Sequence, residues 1–320
     1  MKIDVRQAAE FLKENDDYLI LMHGSPDGDT LGCGYALCGA MQRMGKRSKA
    51  VCPDEIPHKF DYLFAAAEVQ DFEPKTVVCV DVADTKLLGD MKAIGDTAEL
   101  CIDHHESNAD YAKRTLVRPE YASACELVYE VINALGVPFD RELANCIYTG
   151  AATDTGCFKF SNTTAQTHII AAEMMKHGAE YAKINYIQFD LKTQGRIKLE
   201  QDVLKNIRYY EGGRVALITV PLALVESLDV DSDDVGALSN IPRQIEGVDI
   251  GICVKEKKPG VYKASMRTSS LVNAAEICSR FGGGGHARAA GCSFSGGLIG
   301  EAEDKIVKAA CSAVQKALNK

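Results

Sequence analysis

The chain has no stretch approaching the ~18 consecutive apolar residues that a membrane-spanning helix requires, and none of its cysteines are paired at Cys-x-x-Cys spacing. The first absence excludes a helical membrane protein. The second leaves the 12 cysteines scattered singly, mostly in apolar surroundings such as those of Cys38, Cys79, Cys101, Cys146 and Cys253. That usage implies reduced, buried thiols and not a disulfide framework. Positive charge is in deficit as well, with 36 Lys and Arg against 45 Asp and Glu, a net charge of −9. Broad binding to long nucleic acid needs a basic face, so it is disfavoured. A short anionic substrate is not excluded, because bound cations can invert a local field. Met1–Glu10 is mixed polar with no secretory apolar core, which places the expected protein in the cytoplasm. Tryptophan is missing too, and its absence excludes nothing.

What the chain does contain is an alternation of short apolar runs and helical patterns. Tyr18–Met22, Ser48–Cys52, Thr76–Val80 and Glu99–Ile102 read as strands apolar on both faces. Leu31–Met44, Pro57–Ala67 and Cys125–Leu135 read as helices between or after them. Such strands separated by helices predict a doubly wound, mainly parallel sheet. Ser123-Ala-Cys-Glu126 and Thr163-Thr-Ala-Gln166 have the capping-box form, the second before a helix over His168–Met175. A long polar helix is expected over Tyr186–Tyr210, broken by Glu211-Gly-Gly-Arg214. After it come a strand at Val215–Val220, a helix near Asp234–Leu238, and a hairpin of Asp249–Lys255 with Tyr262–Met266. A helix at Val272–Arg280, a strand at Gly291–Phe294 and a helix at Glu301–Leu318 close the chain. At 320 residues, above the ~250–300 where single cores stop growing, two domains are expected, the second smaller and mixed α/β.

The chemistry gathers where the first strands end. Asp103-His104-His105 follows Leu100-Cys101-Ile102, His23-Gly-Ser-Pro-Asp27-Gly-Asp29 follows Tyr18–Met22, and Asp81 follows Thr76–Val80. Asp154, within Thr149–Gly156, is grouped with them. Parallel sheets bind ligands beyond the carboxyl ends of their strands. Taken singly, each Asp reads as a helix N-cap or turn residue, and His23 as a half-buried histidine. Together they would be several buried charges without compensation. Their number exceeds what one ion needs and suits two, the arrangement that clamps both oxygens of an in-line displacement at phosphorus. Carboxylates with imidazoles and no thiolate favour Mn²⁺, with Mg²⁺ next.

These residues resemble the DHH phosphoesterase superfamily, whose four motifs occur in order. They are His23–Asp29, Val80-Asp81-Val-Ala-Asp84, Asp103-His104-His105 and Ala151-Ala-Thr-Asp154-Thr-Gly156. Arg267 and Phe281-Gly-Gly-Gly-Gly-His286-Ala-Arg288 are similar to the DHH-associated domain. The resemblance implies a catalytic domain over 1–185, a helical connector over 186–212 and a substrate-binding domain over 213–320, with the active site in the cleft between the domains. It implies that His23, Asp27 and Asp81 hold one metal, and that Asp29, Asp81, His104 and Asp154 hold the other, Asp81 bridging. His105 would face the substrate phosphate and Asp103 would orient the histidines. Thr30 and Cys33 stand where the family usually has Ala and Ser.

The size and domain set resemble members that cleave short oligoribonucleotides (nanoRNA) and adenosine 3′,5′-bisphosphate (pAp). Attack by a metal-activated water in line with the departing ribose oxygen is then expected. A glycine run is most often a linker, but Gly282, Gly283, Gly284 and Gly285 lie between a helix and a strand. Their N–H groups, with His286, Arg288 and the Arg267 fork, are expected to hold a phosphate. Hydrolysis of cyclic dinucleotides or pApA is the rival within the same chemistry. A catalytically inactive nucleotide sensor is the rival from another class. A pyrophosphatase would lack the Gly-Gly-Gly-His element, and a RecJ-type exonuclease would be larger and more basic. A homodimer is the expected assembly.

Overall fold

The computed structural model describes residues 1–228, 230 and 232–319, with Ser232 and Asp233 described by backbone only. The chain divides into two compact units, Met1–Leu191 and Lys192–Lys320.

The first unit opens with α1 (Val5–Glu14), β1 (Tyr18–Leu21), α2 (Gly28–Arg43) and β2 (Ser48–Val51). A 3₁₀ segment at His58–Ala66 leads to β3 (Thr76–Val80), a second 3₁₀ turn at Thr85–Met91, and α3 (Lys92–Gly95). Then come β4 (Leu100–Asp103), β5 (Arg114–Val117), α4 (Ala124–Leu135), α5 (Arg141–Asp154), α6 (Ala165–Lys176) and α7 (Tyr181–Asn185). The five strands are ordered β2-β1-β3-β4-β5, and every neighbouring pair is parallel. Alternate residues explain the unbroken apolar runs. Tyr18 and Ile20 pack into the larger core with α1, α2, α4 and α5, while Leu19, Leu21, Cys79 and Cys101 pack on the opposite face with Leu88 and Ala98.

The second unit contains α8 (Gln194–Lys205), β6 (Arg208–Tyr210), β7 (Val215–Val220), α9 (Leu222–Leu228) and α10 (Ser232–Ala237). After a 3₁₀ turn at Leu238–Gln244 it continues with β8 (Ile250–Lys258), β9 (Val261–Thr268), α11 (Ala274–Ser279), β10 (Gly284–Gly285), β11 (Ala289–Ser295) and α12 (Ile299–Leu318). Its six strands are ordered β10-β11-β9-β8-β7-β6, antiparallel except for β7 with β8. No helix among the described residues is long and apolar enough to cross a membrane.

Two expectations about elements fail. The continuous helix over Tyr186–Tyr210 is a π-helical turn at Tyr186–Asp190, an extended Leu191, α8, and then β6. Without a single apolar face, nothing holds that segment as one rod. The glycine run lies between α11 and β11 as expected, and there Gly284 and Gly285 pair with Gly291 and Ala290 as an edge strand. Asp154 emerges from no strand and closes α5.

Candidate metal centre

Two helix N-termini and two strand ends converge on one rim of the first sheet. Asp27 is the N-cap of α2, its Oδ1 accepting from the N–H groups of Asp29 and Thr30 at 3.0 and 3.2 Å. The N-cap reading of this residue holds, and the same Oδ1 lies 3.7 Å from His23 Nε2. Asp29, in the first turn of the helix, is fully buried. Its two oxygens accept from the N–H groups of Ala124 and Cys125 at 2.7 and 2.9 Å. The capping box expected at Ser123 is thus absent: the Ser123 hydroxyl caps nothing and Glu126 accepts from Thr167 instead. A charged carboxylate outcompetes a hydroxyl for the helix N-terminus. The other box is shifted by one residue, Thr164 capping α6 with Thr167.

The close approach of α2, α4 and α5 needs glycine. A Cβ on Gly150 would stand 2.2 Å from Cys125 Sγ and 2.6 Å from Asp29 Oδ1. It is this contact that allows Asp154, one turn further along α5, to reach the same rim. A carboxylate at a helix C-terminus opposes the helix dipole, so its place there calls for another partner.

That partner is His104, whose Nε2 lies 3.2 Å from Asp154 Oδ2, 3.7 Å from Asp81 Oδ1 and 3.8 Å from Asp29 Oδ2. His104 Nδ1 is 3.2 Å from the Tyr121 carbonyl, and His23 Nδ1 is 2.8 Å from the Gly24 carbonyl. A carbonyl can only accept, so both rings carry a proton on Nδ1 and turn Nε2 inward. Asp81 lies between the histidines, with Oδ2 3.5 Å from His23 Nε2 and Oδ1 facing His104 and His105. Its backbone is left-handed, with φ +56°, a strained conformation for a non-glycine residue.

His105 is held differently. Its Nδ1 is 2.8 Å from Asp103 Oδ1, which also accepts from the His104 and His105 N–H groups. The other oxygen, Asp103 Oδ2, accepts from Asn108 Nδ2 at 2.6 Å. Asp103 is fully occupied by hydrogen bonds and fixes His105, which remains half exposed. Burial raises the Asp103 carboxyl, but its bonds from His105 and Asn108 outweigh that and hold it below the usual range.

The electrostatics point to missing positive charge. Burial and then the neighbouring Asp154 push Asp29 up to about 7. Burial and Asp29 push Asp81 well up. Burial opposes the charged form of His104, yet Asp154, Asp29 and Asp81 drive it to about 10. Asp81 Oδ1 is buried and accepts no hydrogen bond. Two clusters could each hold one ion, His23 with Asp27 and Asp81, and Asp29 with His104 and Asp154, the donor atoms of each within 4.8 Å of one another. Donors ~2.1 Å from a shared cation and at right angles stand ~3 Å apart, close to the separations here. The donor set of oxygens and imidazoles fits divalent cations.

Asn108 and the backbone carbonyls of Gly24 and Tyr121 escaped sequence reasoning. Asn108 carries no motif beyond lying five residues after Asp103, and carbonyl partners leave no trace in residue type.

In the second unit, Arg267 Nε donates to Asn240 Oδ1 at 3.1 Å and its Nη1 to the Met266 carbonyl. His286 turns the β10–β11 connection, exchanging backbone hydrogen bonds with Ala289. Of the glycine N–H groups expected to hold an anion, those of Gly282 and Gly283 donate to the Ser279 and Cys278 carbonyls, and the His286 N–H donates to Ala289. Arg288 Nη1 is likewise committed to the carbonyls of Ser269 and Val272.

Residues 17–151 match the DHH family N-terminal domain and residues 215–316 match the DHHA1 domain. The bifunctional oligoribonuclease and PAP phosphatase NrnA of Thermus thermophilus is 30% identical over 315 residues, covering 95% of this chain and 93% of that protein. NrnA of Bacillus subtilis is 23% identical, covering 87% and 90%. An exopolyphosphatase-related protein from Bacteroides fragilis superposes with a TM-score of 0.85 at 25% identity, covering 98% and 95% of the two chains. RecJ from Thermus thermophilus, solved with Mn²⁺, shares the fold at a TM-score of 0.58 and 16% identity, covering 96% of this chain and 54% of that one.

Proposed function

The chain belongs to the DHH family and is a hydrolase of phosphate esters; from that premise we propose that it is a divalent-metal-dependent enzyme cleaving short oligoribonucleotides and pAp. The substrates are oligomers of about two to five nucleotides, since a net charge of −9 disfavours the broad basic face that long strands require. One observation supports this reading above the others: Asp81, buried and with an orphaned oxygen, groups with His23 and Asp27 on one side and with His104 and His105 on the other. The names of the NrnA relatives agree with it.

His23, Asp27 and Asp81 would hold one Mn²⁺ or Mg²⁺, and Asp29, Asp81, His104 and Asp154 the other. When bound, the pair supplies charge stabilisation to an in-line displacement at phosphorus. The remaining work belongs to the chain's own groups. The carbonyls of Gly24 and Tyr121 keep His23 and His104 in the tautomer that presents Nε2 inward. Asp103, steadied by Asn108, keeps His105 Nδ1 protonated and aims the half-exposed ring outward. His105 then presents Nε2 to the phosphoryl oxygens or to the departing ribose oxygen. A side-by-side Mn²⁺ assay of pAp, pApA, cyclic di-AMP, a 5-mer RNA, a 24-mer DNA and pyrophosphate tests the reading. Conversion of pAp to AMP and phosphate and release of mononucleotides from the 5-mer support it; turnover confined to pyrophosphate or the 24-mer, or no turnover, refutes it.

A further inference from the structure

Of the three histidines on the rim, His23 has its ring steadied by one peptide group, the one joining Gly24 to Ser25. His23 Nδ1 is 2.8 Å from the carbonyl of that peptide. The N–H of the same peptide, which belongs to Ser25, donates to Asp54 Oδ2 at 2.6 Å. Asp54 lies three residues beyond the end of β2 and belongs to neither metal cluster.

The segment around that peptide is fixed group by group. The His23 N–H donates to Thr30 Oγ1 at 3.2 Å, and the His23 carbonyl accepts from Cys52 Sγ at 3.3 Å. The Gly24 N–H donates to the Leu87 carbonyl at 2.7 Å. A Cβ on Gly24 would stand 2.9 Å from Asp54 Oδ2 and 3.2 Å from the Leu87 carbonyl, so the missing side chain lets both oxygens close in. Ser25 holds a left-handed backbone, φ +52°, a strained conformation that its surroundings must maintain. The short bond from its N–H to a carboxylate is the charge-assisted one among these.

A carboxylate pulling on the N–H of a peptide makes its carbonyl a stronger acceptor, because hydrogen bonds in a chain polarise one another. The carbonyl then grips the His23 Nδ1 proton more firmly and leaves Nε2 richer in electrons. Asp103 does the same for His105 by direct contact.

We propose that Asp54 is a positioning residue of the metal centre, acting through the Gly24–Ser25 peptide to orient His23 and strengthen Nε2 as a ligand. His23 Nε2 faces Asp27 Oδ1 and Asp81 Oδ2 at 3.7 and 3.5 Å, so the effect falls on that cluster and not on the one around His104. The ligand role of His23 rests on the proposed function above; the link from Asp54 to the ring does not.

The test compares the full chain with its Asp54→Ala and Asp54→Asn variants. In EDTA at alkaline pH, nitrogen-15 NMR reads the His23 ring, assigned by the signal lost in His23→Gln. The Nδ1–H proton of His23 should move upfield in Asp54→Ala, while that of His104 stays in place. Calorimetric titration of the metal-free protein with Mn²⁺ should show one of two binding steps weakened by about 10–100-fold and the other unchanged. Asp54→Asn, which keeps an acceptor without the charge, should fall between the parent and Asp54→Ala in both measurements. A His23 ring signal that does not move, or Mn²⁺ binding at parental strength in Asp54→Ala, overturns the proposal. So does equal weakening of both steps with a lowered melting temperature, since Asp54 would then serve only the fold. A parent chain that binds no Mn²⁺ refutes the metal reading instead, and the ring signal still decides whether Asp54 reaches His23.

Discussion

Asp81 answers three demands at residue scale: a left-handed backbone, near-complete burial and an oxygen without a hydrogen bond. On the proposed function, a bound cation would offset the burial and satisfy the free oxygen. Asp81→Ala should lower Mn²⁺-dependent turnover by at least ~10³-fold, while its melting temperature in EDTA stays level or rises. Persistent activity in that variant removes the metal model. Asn108 acts one bond further out, through Asp103 on His105. Asn108→Ala should cost about 10–100-fold in kcat with little change in bound metal, which metal analysis of the purified variant checks. The carboxylates and imidazoles gathered on the rim were legible in sequence because they cluster after apolar runs. Asn108 was not, because it serves another residue.

At the scale of elements, the site depends on which group takes the α4 N-terminus. Ser123 looks like the cap from sequence, yet Asp29 arrives from α2 and takes both N–H groups. Local spacing cannot report a competitor 95 residues away. Ser123→Ala should therefore change stability by less than ~0.5 kcal/mol, a small value for a true cap, as chemical denaturation would measure. Gly150→Ala should do the opposite, pressing a methyl group against Cys125 and Asp29. A loss of ~1–3 kcal/mol together with weaker metal binding is expected. Strands β1, β3 and β4 were legible because they are apolar on both faces. Strand β5, Arg114–Val117, was missed, being four residues long with half-exposed ends. Helix α5 was missed as well, and with it the true setting of Asp154.

For the whole molecule, the excess of carboxylates makes metal-free stability depend on pH. Asp29 titrates near 3.9 when unfolded and near 7 when folded, so the folded form binds more protons across that window and stability falls as pH rises. His104, shifted from about 6.5 to about 10, carries the same fall on to higher pH. In EDTA the chain should melt higher at pH 5 than at pH 8, and stabilisation by Mn²⁺ should grow with pH. A flat profile, or one rising with pH, contradicts the charge crowding described here. The parallel first sheet and the mixed second one were legible from the change in patterning along the chain. The hydrogen bonds that Gly282 and Gly283 donate were not, because hydrogen-bond partners are a property of the folded backbone. The most direct measurement is anomalous diffraction at the manganese edge from crystals soaked in Mn²⁺. Two peaks about 3.5–4 Å apart are predicted, one against His23 and Asp27, the other against Asp29, His104 and Asp154, with Asp81 between them. A single peak, none, or a pair placed elsewhere would contradict the account.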